Sequence, residues 1–137
     1  MSDDVNSPKH YNVSDLEVIT VIEDWGLGFH MGNVLKYVAR AESKNKKQDL
    51  KKARWYMQRM LDQGAPFPKR ESQFYGLLKT WKAELSTREV MQAWGYLDPQ
   101  SLALVSLIGD VASGNQTESG KIALMISILD HMIGVET

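Results

Sequence analysis

The sequence has no cysteine, which excludes a disulfide framework, a thiolate metal site and thiol nucleophile chemistry. It has only three histidines, His10, His30 and His131. None stands at a paired spacing such as H-E-x-x-H, so no metal site is expected. No apolar run approaches the roughly 18–20 residues that span a bilayer. The polar, acidic opening MSDDVNSPKH does not read as a secretory signal. Net charge is nearly absent: 16 basic against 17 acidic residues leave −1, which exerts no overall pull on polyanions or membrane surfaces. Period-two alternation is missing throughout, so no strand is expected. Together these absences predict a soluble, intracellular, all-α protein that does not span a membrane.

What is present is ordinary in amount and uneven in placement. At 43% hydrophobic and 24% charged residues, the 137-residue chain has the composition of a folded globular protein. Its length suits one compact domain, or a small domain with a C-terminal extension. Residues 36–60 carry nine Lys or Arg against two acids, Glu42 and Asp49, whereas residues 98–137 carry five acids and one lysine, Lys121. One part of the molecule could therefore attract anions.

Helical periodicity divides the chain. The string SDLE at Ser14–Glu17 has the pattern of a capping box and predicts a first helix from Ser14. Its apolar set is Leu16, Ile19, Val21, Ile22 and Trp25, and Gly26 and Gly28 end it. A second helix is expected from Phe29 or His30 to Ala41. A third, from about Gln48 to Gln63, turns Leu50, Ala53, Met57, Met60 and Leu61 inward. These make an N-terminal three-helix unit, residues 1–63 with its leading arm. GAPFPKR, residues 64–70, reads as a linker. The C-terminal helical region, 71–137, holds four further patterns over 71–85, 86–94, 98–113 and 117–134. The second opens on a capping box, Ser86 to Glu89. The third has Asp98 as N-cap with Pro99 at its first position. The last two are so apolar that they are expected to be central in the bundle or buried in a partner, and the favoured expectation is a homo-oligomer formed through the C-terminal region.

Several tempting motifs fail. GNQTESGK, residues 114–121, is not a P-loop: five residues separate its glycines, Ile122 stands where Ser or Thr should be, and no strand precedes it. Asp110 and Asp130 lie in apolar helices and read as packing residues or partners in inter-subunit salt bridges. The strongest signal is a stripe on the second helix, where Asn33, Lys36, Tyr37 and Arg40 share one face. Asp49, Lys52 and Tyr56 repeat the spacing on the third. Amide, cations and flat rings suit a nucleotide, with a base on a ring and phosphates on Lys and Arg. Periodicity leaves open whether the two stripes face each other or face water. His10, in the tight string SPKHY, adds a side chain suited to phosphate or base contact.

In that order and at these separations, SPKHY (7–11), EVI (17–19), GNVLKYVARA (32–41) and DLKKARWY (49–56) resemble a small phage protein family sometimes called SaV-like. That family is similar to the C-terminal part of the podophage early-region nucleotide kinase. The motif runs P-x-H-Y, G-N-x-L-K-Y-x-x-R-A and D-L-x-K-A-x-x-Y over about residues 7–62. This sequence departs from the pattern at Glu42-Ser43-Lys44, where the family commonly has Gly-Lys-Lys. The resemblance implies a phage-encoded protein in the cytoplasm of an infected bacterium that handles nucleotides. It extends to phosphoryl transfer onto deoxynucleoside monophosphates such as dTMP and dGMP, without a P-loop.

On that reading Lys36, Arg40 and His10 are the catalytic candidates, and Tyr11, Asn33, Tyr37, Asp49, Lys52 and Tyr56 the substrate-binding ones. No tightly bound cofactor is expected, with ATP and Mg2+ as co-substrate if the protein is a kinase. Two alternatives stand beside it: a non-catalytic protein that sequesters a nucleotide, including a host defence signal, and an interaction protein for nucleic acid or a host protein.

Overall fold

The computed structural model describes residues 16–40, 45–63, 84–112 and 118–135. Among these the chain forms six helices and no strand: α1 (Val18–Trp25), α2 (Phe29–Val38), α3 (Lys46–Asp62), α4 (Thr87–Ala93), α5 (Pro99–Ala112) and α6 (Glu118–Val135). None is long and apolar enough to cross a membrane. The helix expected over 71–85 falls outside the described residues except for Glu84 and Leu85, which are not helical.

α1 starts later than its sequence signal implied. Glu17 is extended, with φ −84° and ψ 148°, so it precedes the helix and cannot be the third helical residue of a capping box opened by Ser14, which lies outside the described residues. Ile19, expected inward, is 53% exposed, whereas Val21 and Trp25 are buried. The helix stops at Gly26, whose φ of 66° is left-handed. The Leu27 N–H then reaches back to the Ile22 carbonyl at 3.0 Å, the backbone pattern that a glycine at this position permits without steric cost.

α2 buries Met31, Val34, Leu35 and Val38 at helical spacing and ends at Val38 rather than Ala41. The Arg40 N–H donates to the Tyr37 carbonyl at 3.2 Å, so Arg40 sits in a turn just past the helix. α3 buries Leu50, Ala53, Met57 and Met60. It packs chiefly on α2 along one side and on α6 along another.

The C-terminal helices join the same core. Leu104, Val105 and Ile108 of α5 and Ile122, Met125, Leu129 and Met132 of α6 are buried in one cluster with the residues of α1–α3. Burial within the chain thus accounts for most of their apolar surface, and Leu124 is left half exposed. Asp130 does not lie among apolar neighbours. It is an exposed residue whose carboxylate takes the Arg54 guanidinium of α3, with Nη2 at 3.3 Å from Oδ2, a bridge made inside one chain.

Hydrogen bonds made by three side chains, Asp24, Trp25 and Trp94, hold residues 84–97 against α1 and the residues just before it. The Asp24 carboxylate accepts from the backbone N–H groups of Glu84 at 3.1 Å and Leu85 at 2.9 Å. Trp25 Nε1 donates to the Leu85 carbonyl at 2.8 Å, and Trp94 Nε1 to the Leu16 carbonyl at 2.8 Å. The Ser86–Glu89 capping box then starts α4, with both reciprocal bonds present at 3.0 and 2.8 Å.

α5 crosses this junction closely enough that Gly109 has no room for a side chain. A Cβ there would lie 3.0 Å from Trp25 Cη2 and press directly on the Thr87 hydroxyl. Overpacking of this kind costs about 1–3 kcal/mol. Gly109→Ala is therefore expected to lower the urea midpoint, an effect opposite in sign to the small gain an alanine brings in an open helix interior.

Asp98 caps α5 as its position implied, accepting from the Ser101 N–H at 2.7 Å, and its other oxygen takes the Lys46 ammonium at 2.9 Å. Partial burial alone would raise this carboxyl. The Ser101 N–H and the Lys46 ammonium outweigh that and hold it below the ordinary carboxylate range. A depressed carboxyl stabilises the fold fully above its unfolded-state value, about pH 4, and that contribution is lost as pH falls through the folded-state value. Thermal melts across this acid window should show a steeper loss for the wild type than for Asp98→Asn. Equal slopes would show that the cap and ion pair do not couple folding to protonation.

An aromatic and cationic face on α2 and α3

The packing of α2 on α3 turns their polar stripes toward each other. Tyr37 and Tyr56, which periodicity alone left unrelated, stack with ring centroids 6.3 Å apart and planes 17° from parallel. The Lys36 ammonium lies 4.7 Å from the Tyr37 centroid and the Lys52 ammonium 5.5 Å from it. Two cations from two helices thus converge on one ring, each such contact contributing about 0.5–1 kcal/mol at an exposed site.

Tyr56 is the hub of a wider cluster. Phe29, His30 and Trp55 meet its ring edge to face at 5.9, 6.0 and 5.1 Å. The Arg59 guanidinium lies 5.7 Å from the Trp55 ring. Helical geometry explains the gathering: His30 precedes Asn33 by three residues and Tyr37 by seven, and Arg59 follows Tyr56 by three. The same stripe spacing could have identified His30 and Arg59 from sequence. Phe29 and Trp55 read as ordinary apolar residues, yet they are 72% and 56% exposed.

The basic run separates into two classes. Arg40 faces Asp49 at 3.5 Å, Lys46 is held by Asp98 and Arg54 by Asp130. Among the described residues no carboxylate pairs with Lys36, Lys52 or Arg59. Lys47 and Lys51 of the same run also lack a carboxylate partner among the described residues, but of the unpaired cations described it is Lys36, Lys52 and Arg59 that lie over aromatic rings. Their field is available to an anion, and the rings beside them offer flat apolar faces.

Arg40 and Asp49 form a different kind of contact. The Asp49 side chain is buried, and its Oδ2, the atom nearest Arg40, has no hydrogen-bond partner. Arg40 is about half exposed. Removing Arg40 leaves a buried carboxylate without its cation, whereas removing the carboxylate leaves a cation that water can solvate. Arg40→Ala is accordingly expected to destabilise by about 1–3 kcal/mol, and Asp49→Asn by less, in chemical denaturation. The reverse order would remove the electrostatic role assigned to Arg40.

The remaining candidates fall as follows. Asn33 donates through Nδ2 to the Phe29 carbonyl at 2.8 Å, one turn back, so one of its donors is already used within α2. His10 and Tyr11 lie outside the described residues. His131 is exposed on α6. No group of acidic residues and histidines that could hold a metal ion occurs among the described residues.

Residues 5–58 match the model of a family described as a protein of unknown function, DUF3310. The matched segment nearly coincides with the stretch that carries the sequence motifs, and it contains every ring of the Tyr56 cluster. Neither a curated protein nor a solved structure shows significant similarity to the chain.

Proposed function

We propose that this protein binds nucleotides on the α2–α3 face, as a phage protein acting in the cytoplasm of its host. One observation carries the reading: the Lys36 and Lys52 ammoniums converge on Tyr37, itself stacked on Tyr56, and no described carboxylate neutralises them. A base would lie against the exposed part of the ring cluster, and its phosphates would meet the two lysines through charge-assisted contacts. Arg40, directed at Asp49, holds the start of α3 to the end of α2.

The finer proposal is a nucleoside monophosphate kinase. An oxygen of the acceptor phosphate, on dTMP or dGMP, would attack the γ-phosphorus of ATP. The bond from that phosphorus to the β,γ-bridging oxygen breaks, and ADP and the deoxynucleoside diphosphate leave. Such a transfer needs positioning and charge stabilisation more than a covalent nucleophile. Lys36 and Lys52 have the charge for that role, and Mg2+ would arrive with ATP. Incubation with Mg-ATP and either monophosphate, followed by chromatography of the nucleotides, tests it. Appearance of the diphosphate supports the kinase. Nucleotide-dependent stabilisation without any diphosphate would overturn it and leave a binding protein that sequesters its ligand.

A further inference from the structure

Resting on the reading of the α2–α3 face as a nucleotide surface, we infer that its fuller ligand is a single-stranded polynucleotide engaged over at least two consecutive bases. A mononucleotide presents one base, and the face presents two widely exposed rings. Phe29 and Trp55 are 72% and 56% open to solvent, and they flank Tyr56 at 5.9 and 5.1 Å. They therefore lie within about 11 Å of each other, the sum of those two distances.

Successive nucleotides on a duplex strand rise about 3.4 Å, and an unpaired strand can extend further, so rings no more than about 11 Å apart are within reach of bases one to three nucleotides apart on one strand. The cations are placed to follow such a strand. Lys36 and Lys52 stand at the Tyr37 end of the ring series and Arg59 at the Trp55 end. Asp62, one helical turn from Arg59, accepts from Gln58 Nε2 at 2.8 Å and makes no ion pair with Arg59. Stacking rings bordered by unpaired cations are the general means by which proteins hold unpaired strands without reading their sequence, because every base has a flat face. A strand crossing this surface would set one base on Phe29 and another on Trp55, with its phosphates passing the lysines and the arginine.

Fluorescence anisotropy with labelled oligo-dT of two, four and eight nucleotides, and a parallel oligo-U series, separates DNA from RNA as the source of the strand. The same ligands and dTMP are run in thermal shift. Affinity should rise from dTMP through the dinucleotide to the tetranucleotide. With three phosphates neutralised, the slope of log affinity against log salt should be about −2. Phe29→Ala and Trp55→Ala should each weaken tetranucleotide binding by about 5- to 150-fold, the equivalent of one base–aromatic stack. Because both side chains are largely exposed and lose only their ring and cation contacts, their melting temperatures should fall by no more than a few degrees.

If dTMP binds and the oligonucleotides bind no tighter, the strand inference falls and the nucleotide reading stands. If neither binds, both fall. Oligonucleotide binding that both ring substitutions leave unchanged would overturn the inference by placing the strand elsewhere.

Discussion

Trp94→Ala is expected to destabilise the protein by about 3–5 kcal/mol, the largest effect of any single substitution considered. The side chain is fully buried and is the largest of those so placed. Its removal combines lost transfer free energy with a cavity that surrounding helices cannot fill. It also breaks the indole N–H bond to the Leu16 carbonyl, a contact spanning 78 residues of sequence, and with it one of the ties that hold the C-terminal helices to α1. Against a typical total stability of about 5–15 kcal/mol, this removes much of the margin.

Urea denaturation followed by circular dichroism measures it. Trp94→Phe serves as the companion variant: it keeps most of the volume and loses the hydrogen bond, so it should fall between wild type and alanine. An alanine variant with a near wild-type midpoint would show that the indole is not a structural anchor.

The second large effect concerns binding. The Lys36→Ala/Lys52→Ala double variant should lose the nucleotide-induced rise in melting temperature altogether. A ligand present at a hundred times its Kd stabilises by about 2.7 kcal/mol through mass action. Each charge-assisted contact contributes about 1.5–3 kcal/mol, so loss of two weakens binding by two orders of magnitude or more, and the stabilisation disappears at that ligand concentration. Both lysines are exposed and neither pairs with a described carboxylate, so the melt without ligand should fall only by the loss of their two contacts with the Tyr37 ring, about 1–2 kcal/mol. The nucleotide-induced rise is read against each protein's own ligand-free melt. Arg40→Ala is a poorer probe because its contact with buried Asp49 ties it to stability as well. A double variant that keeps the full shift would remove the α2–α3 face from nucleotide binding.

Particular elements show what could be read in advance. The Ser86–Glu89 capping box and the Asp98–Pro99 start of α5 are local patterns whose hydrogen bonds close within three residues, and both form as their sequences imply. The inward set of α3, from Leu50 to Met60, follows from helical spacing. SDLE carries the same kind of pattern as Ser86–Glu89, yet Glu17 is extended. The neighbouring Leu16 carbonyl instead receives the Trp94 indole, a partner that no local pattern reveals. Phe29 and Trp55 were passed over because an aromatic residue in a helix looks the same on paper whether its ring ends in the core or in water.

By itself the sequence determined most of the helical segments among the described residues and the amphipathic faces of α2 and α3. Those are consequences of a 3.6-residue repeat and of side-chain chemistry, and both are local. Only the tertiary structure decided that the two stripes confront each other, with Tyr37 stacked on Tyr56. It also sorted the cations, since Asp98 and Asp130 come from distant helices to take Lys46 and Arg54 while Lys36, Lys52 and Arg59 stay over rings. Periodicity says which residues share a face. What stands opposite that face depends on how helices far apart in the chain pack to bury a common core.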